Sequence, residues 1–162
     1  MADDLLNSRK YQLLKNPIHA FSFGFGAGFL PKAPGTWGTL VALPFFLFMQ
    51  NYNTQIYLFM LLFLTLFSIF ACGYTSTALG VHDHESIVCD EVVGYLLVLC
   101  FIPNSAIWIV AAFLVFRLFD IFKPWPICWF DKNISGGFGI VLDDIVAAVF
   151  SIAFLILIKY FL

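Results

Sequence analysis

Charge is what this chain has least of. Of its 162 residues, only 11% are Asp, Glu, Lys or Arg, against about 25% in an ordinary soluble domain. No charged residue occurs from Ala33 to Val81, from Val92 to Phe116, or from Ile145 to Ile158. The first two intervals can each hold at least one bilayer span of ~20 residues; the third must borrow flanking residues to reach that length. A soluble globule is thereby excluded, and an integral membrane protein is expected. Basic residues are too few for a nucleic-acid footprint, so no nucleic-acid partner is expected. Cysteine is also sparse. Cys72, Cys89, Cys100 and Cys128 stand far apart with no Cys-x-x-Cys pair, and they read as small buried hydrophobes. The first 17 residues are polar, and no short apolar region leads to a small-residue cleavage site. A cleaved signal peptide is therefore not expected. Internal repeats are missing as well.

What is there is a set of apolar helices punctuated by breakers. A polar segment, 1–17, carries Arg9, Lys10 and Lys15 and precedes a single membrane-embedded domain over 18–162. Ile18 to Leu30 is rich in Phe and Gly and suits an interfacial or re-entrant segment. Gly24, Gly26 and Gly28 lack the strand–turn–helix context of a dinucleotide site and read as points of close backbone packing. Two prolines and two glycines predict a loop over 31–40. Helices are then predicted from about Thr39 to Gln50, from Gln55 to about Leu79, from Glu91 to Ile102, from Ser105 to Asp120 and from Ile140 to Lys159. Polar turns fall at 51–54 and 103–104, a charged loop at 81–86, and a longer loop at 125–139. The fold class is all-α: a polytopic membrane bundle of about five spans, or four plus a re-entrant piece. The basic residues cluster in alternate connections, and the positive-inside tendency puts that side in the cytoplasm.

The few charges sit at the ends of the apolar runs. Asp90 and Glu91 open one helix, Arg117, Asp120 and Lys123 close another, and Asp143 with Asp144 open the last. A carboxylate inside a membrane segment costs roughly 2.5–3.5 kcal/mol on insertion scales, so acids kept there have a function by default. Helix capping explains one acid per helix start, not two. Spacing of three puts Arg117, Asp120 and Lys123 on one face, and apolar side chains cover the other faces. Carboxylates hold hard cations, and Arg and Lys hold phosphate. The combination points to a metal-dependent site for a phosphorylated lipid at the membrane face. At least one acid of each pair is expected to bind metal, and spacing does not say which. The Gly35-Thr36-Trp37-Gly38-Thr39 segment can offer N–H groups and hydroxyls to a phosphate, making Thr36, Gly38 and Thr39 candidate substrate contacts. His82 and His84 flank Asp83 but are too few for a zinc site and read as loop residues.

These motifs, in this order, resemble a known family. They are Gly35-Thr36-Trp37-Gly38-Thr39-Leu40, Asp90-Glu91-Val92-Val93-Gly94, the block from Phe116 to Pro126, Gly136-Gly137-x-Gly139, and Asp143 to Ala148. The chain from about Ala20 onward resembles the phosphatidylglycerophosphatase A family of bacterial membrane enzymes. The resemblance implies a magnesium-dependent catalytic domain in the bacterial inner membrane, with the active site facing the cytoplasm. Its substrate would be a phospholipid: the terminal phosphate of phosphatidylglycerophosphate would be removed to give phosphatidylglycerol. On that reading Asp90 or Glu91, Asp120, and Asp143 or Asp144 would hold Mg²⁺, and Arg117 and Lys123 would hold the phosphate. Asp120, Arg117 and Lys123 would be the catalytic set. An ion-coupled transporter using the clustered acids is the alternative, though transporters commonly show repeats and midplane acids.

Overall fold

The computed structural model describes residues 10–161. Arg9 and the start of the polar segment lie outside the described residues. Among the described residues the protein is helical, without a strand. The elements are α1 (Pro17–Ser22), a 3₁₀ turn (Gly24–Phe29), α2 (Pro34–Met49), α3 (Thr54–Leu79), α4 (Cys89–Phe101), α5 (Ala106–Phe122), α6 (Ile127–Asn133) and α7 (Gly136–Phe161).

Local chemistry explains most of the boundaries. Asn16 caps α1 and Asn53 caps α3, each by accepting a backbone N–H through its side-chain oxygen at 2.9 Å. Gly80, in the left-handed region, ends α3. Pro103 follows α4, where the missing N–H stops the helix. Two boundaries differ from the sequence expectation. First, α2 begins at Pro34, not near Thr39. Proline is well suited to a first helical position, and the Thr36 N–H donates back to the Ala33 carbonyl at 3.0 Å. Second, the predicted loop 125–139 contains α6 and the first turn of α7. There the Gly136 N–H donates to His82 Nε2 at 2.9 Å, a cap supplied from a distant loop that local propensity cannot anticipate.

α4 and α7 form the centre. α4 packs against α2, α3, α5 and α7, while α7 packs against α3, α4, α5 and α6. Glycines let backbones meet here. A Cβ on Gly137 would run into the Ile69 carbonyl and Gly73 of α3, and one on Gly94 would meet the Phe116 ring at 2.8 Å. Gly24 and Gly28 likewise press against Val88 and the Ser86 backbone, whereas Gly26 faces open space and serves the turn through its positive φ instead of packing. Cys72 and Cys89, far apart in sequence, bring their sulfurs to 3.0 Å in this centre.

Two helices, α3 and α7, are long and apolar enough to cross a membrane, at 26 residues each. The other predicted crossings are shorter: 16 residues in α2, 13 in α4 and 17 in α5. At 1.5 Å per residue these give roughly 20–26 Å against a hydrocarbon core of about 30 Å. Much of the outer surface is apolar, with Phe59, Phe63, Ile107, Leu114 and Tyr160 all exposed.

Candidate active site

A cavity of about 510 Å³ opens where the ends of α4 and α5, the start of α2, the 83–87 loop and the second turn of α7 converge. Seven acids line it: Asp83, Glu85, Asp90, Glu91, Asp120, Asp143 and Asp144. Only Arg117 and Lys123 oppose them. Asp90, Asp120, Asp143 and Asp144 are 3–9% exposed, so this is not a solvated acidic patch. Burying carboxylates without compensation costs several kcal/mol each, so the excess of acid is offset either by bound protons or by a cation that enters the cavity.

The backbone brings the acids together in different ways. Asp90 and Glu91 lie in the first turn of α4, but the N-cap residue, Val88, makes no side-chain cap. Asp143 and Asp144 lie about two turns inside α7, because that helix begins at Gly136. Placement at a helix start therefore does not account for Asp143 and Asp144. Oxygens of Asp90, Glu91 and Asp144 all lie within 4.8 Å of one another. One oxygen of each (Asp90 Oδ1, Glu91 Oε2 and Asp144 Oδ2) is buried without a hydrogen-bond partner. Three buried, converging carboxylates, each with one unpartnered oxygen, are a donor set for a hard cation.

The two cations divide. Arg117 donates through Nη1 to Asp120 Oδ2 in a short ion pair and lies 3.7 Å from Glu91 Oε1. Its Nε is buried without a partner. Lys123 leaves the helical face that the spacing predicted for it. It adopts the left-handed conformation that ends α5, and its Nζ donates to Asp131 Oδ1 at 2.5 Å and Asp143 Oδ2 at 2.6 Å. Burial works against its charge, but Asp143 and Asp131 outweigh that and hold the ammonium above its ordinary range.

Gly35 completes the wall. A Cβ there would collide with Glu91 Oε1 and meet the Arg117 guanidinium at about 3.0 Å, so only glycine lets α2 seat against both. The other predicted contacts from this segment face elsewhere. Thr39 is buried and its hydroxyl donates to the Gly35 carbonyl at 2.8 Å, inside its own helix. Gly38 packs on Val88, and Thr36 lies in the first turn of α2, with Ala33, Pro34 and Gly35 forming the cavity wall instead.

The model of the phosphatidylglycerophosphatase A family matches residues 20–159, which include every residue of this cavity. The chain belongs to the phosphatidylglycerophosphatase A family. It is 44% identical over 139 residues to the phosphatidylglycerophosphatase A of Escherichia coli, covering 85% of this chain and 81% of that one. It is 42% identical over 158 residues to the phosphatidylglycerophosphatase A of Haemophilus influenzae, covering 96% and 97%. A third relative, from Bacteroides thetaiotaomicron, bears the provisional name phosphatidylinositol-3-phosphatase and is 36% identical over 141 residues, or 79% of this chain and 84% of the relative. No solved structure matches.

Against the residues expected from the family motifs, the cavity gathers Asp90, Glu91, Arg117, Asp120, Lys123, Asp143 and Asp144, and leaves Thr36, Gly38 and Thr39 out of its lining. Three acids escaped the sequence reading. Asp83 and Glu85 line the cavity from a loop read as ordinary connection, and Asp131 shares Lys123. The one available signal was that Asp83, Glu85 and Asp131 are themselves rare charges in an uncharged chain, close to the motif acids in sequence. His82 and His84 stay loop residues: His82 caps α7, and His84 Nδ1 accepts the Ser86 N–H at 3.1 Å. Burial, followed by the nearby charge of Lys10, depresses the His84 imidazole below its usual range.

Proposed function

We propose that this chain is a Mg²⁺-dependent lipid phosphatase that hydrolyses the terminal phosphomonoester of phosphatidylglycerophosphate, giving phosphatidylglycerol and phosphate. The observation that carries the reading is the convergence of the buried Asp90, Glu91 and Asp144 carboxylates, each with one unpartnered oxygen, beside an arginine with an unused donor. A phosphomonoester with up to two negative charges cannot approach seven acids unless a cation accompanies it. Asp90, Glu91 and Asp144 would hold Mg²⁺, which prefers oxygen donors and keeps several waters. When bound, it would supply charge neutralisation and polarisation of a phosphoryl oxygen.

The chain's own residues do the positioning, which is most of what phosphoryl transfer needs. Arg117 has unused N–H groups for the phosphate oxygens, and its pair with Asp120 fixes the plane of the guanidinium. Lys123 holds Asp143 and Asp131 in place and keeps a third N–H for phosphate. In the net reaction a water oxygen bonds to phosphorus and the bond from phosphorus to the glycerol oxygen breaks. One water proton goes to a carboxylate and the departing alkoxide takes up a proton. Asp120, in the cavity against Arg117, is the acid we assign to receive the water proton. Attack by Asp120 itself on phosphorus is the competing route, and trapping a phospho-enzyme distinguishes the two.

On this reading the chain is a multi-pass protein of the bacterial cytoplasmic membrane with about five crossings, and its cavity faces the cytoplasm. Support comes from the two long apolar helices and from the basic residues near the cavity. The family match favours the phosphatase over the ion-coupled transporter.

The test is phosphate release from phosphatidylglycerophosphate by the purified protein. Chelation with EDTA is expected to abolish turnover and added Mg²⁺ to restore it. Full activity in metal-free buffer would overturn the metal assignment. Faster release from phosphatidylinositol 3-phosphate would move the headgroup assignment toward the third relative's name.

A further inference from the structure

α2 and α5 both pack on α4 and leave an apolar groove of about 120 Å³ between them. Leu40 and Leu43 of α2 form one wall, Ile109, Val110 and Phe113 of α5 the other, and Tyr95 of α4 lies between. Tyr95 donates its hydroxyl to the Ile109 carbonyl at 2.8 Å, so its one polar atom is already paired. Leu40 and Val110 are exposed, so the groove opens sideways, away from the bundle.

The same pair of helices bounds the acidic cavity. Gly35 sits against Arg117 at the cavity end. From there α2 runs away toward Leu43 while α5, read backwards, runs away toward Ile109. At 1.5 Å per residue, Leu40 and Phe113 lie roughly 6–8 Å from that end and Leu43 and Ile109 about 12 Å. Cavity and groove therefore lie along the same pair of helices, the polar site at the Gly35–Arg117 end and the apolar groove farther along.

We infer that this groove is the acyl-chain subsite for the phospholipid whose phosphate occupies the cavity. The inference rests on the proposed lipid phosphatase activity and adds how the lipid is held. A phosphate and an acyl chain on one glycerol backbone need a polar site and an apolar track in line, which is the order found along α2 and α5. A second copy of the chain, or ordinary bilayer lipid with no preference for the groove, are the other occupants that the test separates.

The experiment uses the full-length protein in mixed micelles with a long-chain phosphatidylglycerophosphate bearing a photoactivatable diazirine in mid-chain. Crosslinks are expected to concentrate on α2 and α5 residues of the groove, with the outer face of α3 at Phe59 and Phe63 as the comparison. L43W, which fills the groove, is expected to reduce that crosslinking at least 10-fold and to lower kcat/KM on the long-chain lipid by about the same factor. L114W, on an exposed part of α5 outside the groove, is expected to leave both unchanged. Uniform labelling of the apolar surface overturns the inference, and so does L43W acting at the unmodified rate. Should L43W fail to fold, the crosslink map of the unmodified protein still decides. A well-defined groove crosslink without phosphate release would sink the proposed reaction while leaving the lipid site standing.

Discussion

At the scale of single residues, the cavity shows how one atom sets what a site can hold. Gly35 is glycine because Glu91 and Arg117 occupy the space a side chain would need. Gly35→Ala is expected to push one of them aside and lower turnover by about 10²-fold, since small misplacements at a reacting centre have effects of that order. Circular dichroism and detergent-solubilised yield should stay near those of the unmodified protein. A fully active alanine variant would show that α2 yields instead. Asp120 pairs with Arg117 from one turn away. Asp120→Asn keeps the size of the side chain but removes the charge that receives a proton. A loss of at least about 10²-fold in turnover is expected, or ~2.7 kcal/mol in the barrier, with normal membrane insertion. Near-normal turnover would reduce Asp120 to an orienting partner of Arg117. Motif spacing identified Asp120, Asp90, Glu91, Asp143 and Asp144. It could not divide the two cations, because the turn at Lys123 swings that side chain away from Arg117 and toward α6 and α7.

Elements show where local chemistry suffices and where it fails. Asn53 starts α3 by accepting the Ile56 N–H, a signal written in the polar turn 51–54. Asn53→Ala is expected to cost on the order of 1 kcal/mol of stability, read as a lower midpoint of thermal unfolding in detergent. No measurable shift would mean that packing of α3 against α4 and α7 alone sets its start. α7 is the opposite case. Gly136-Gly137 reads as loop, yet it is helix, because Gly137 lies against the α3 backbone and His82 supplies the cap. The extra turn matters for the chemistry. It places Asp143 and Asp144 inside the helix, on a face that reaches the α4 acids, instead of at an end where capping would explain them.

For the whole molecule, seven acids, Arg117 and Lys123 gather around one cavity of an otherwise apolar bundle, while Lys159 lies at the far end of α7. The proposed orientation follows from that asymmetry and can be tested without any assay of activity. Ser135 is exposed in the short link between α6 and α7. With Cys72, Cys89, Cys100 and Cys128 first removed, Ser135→Cys is expected to react with an impermeant thiol reagent only after cells are opened. Labelling in intact cells would invert the topology and place the substrate in the outer leaflet.

Length, composition and breakers by themselves determined the helical class, most helix boundaries and the two helices long and apolar enough to cross a membrane, because these depend on contiguous residues: apolar runs, prolines and cap residues. The motif order likewise pointed to the family before any geometry was considered, and to most of the acids that line the cavity. Only the tertiary structure decided which acids converge, that Thr39 turns its hydroxyl into its own helix, and that Asp83, Glu85 and Asp131 join the charged cluster. It also decided that α2 and α5 leave an apolar track beside the cavity. Those facts depend on how helices distant in sequence sit against one another, and on glycine contacts such as Gly35 with Arg117 that no local pattern encodes.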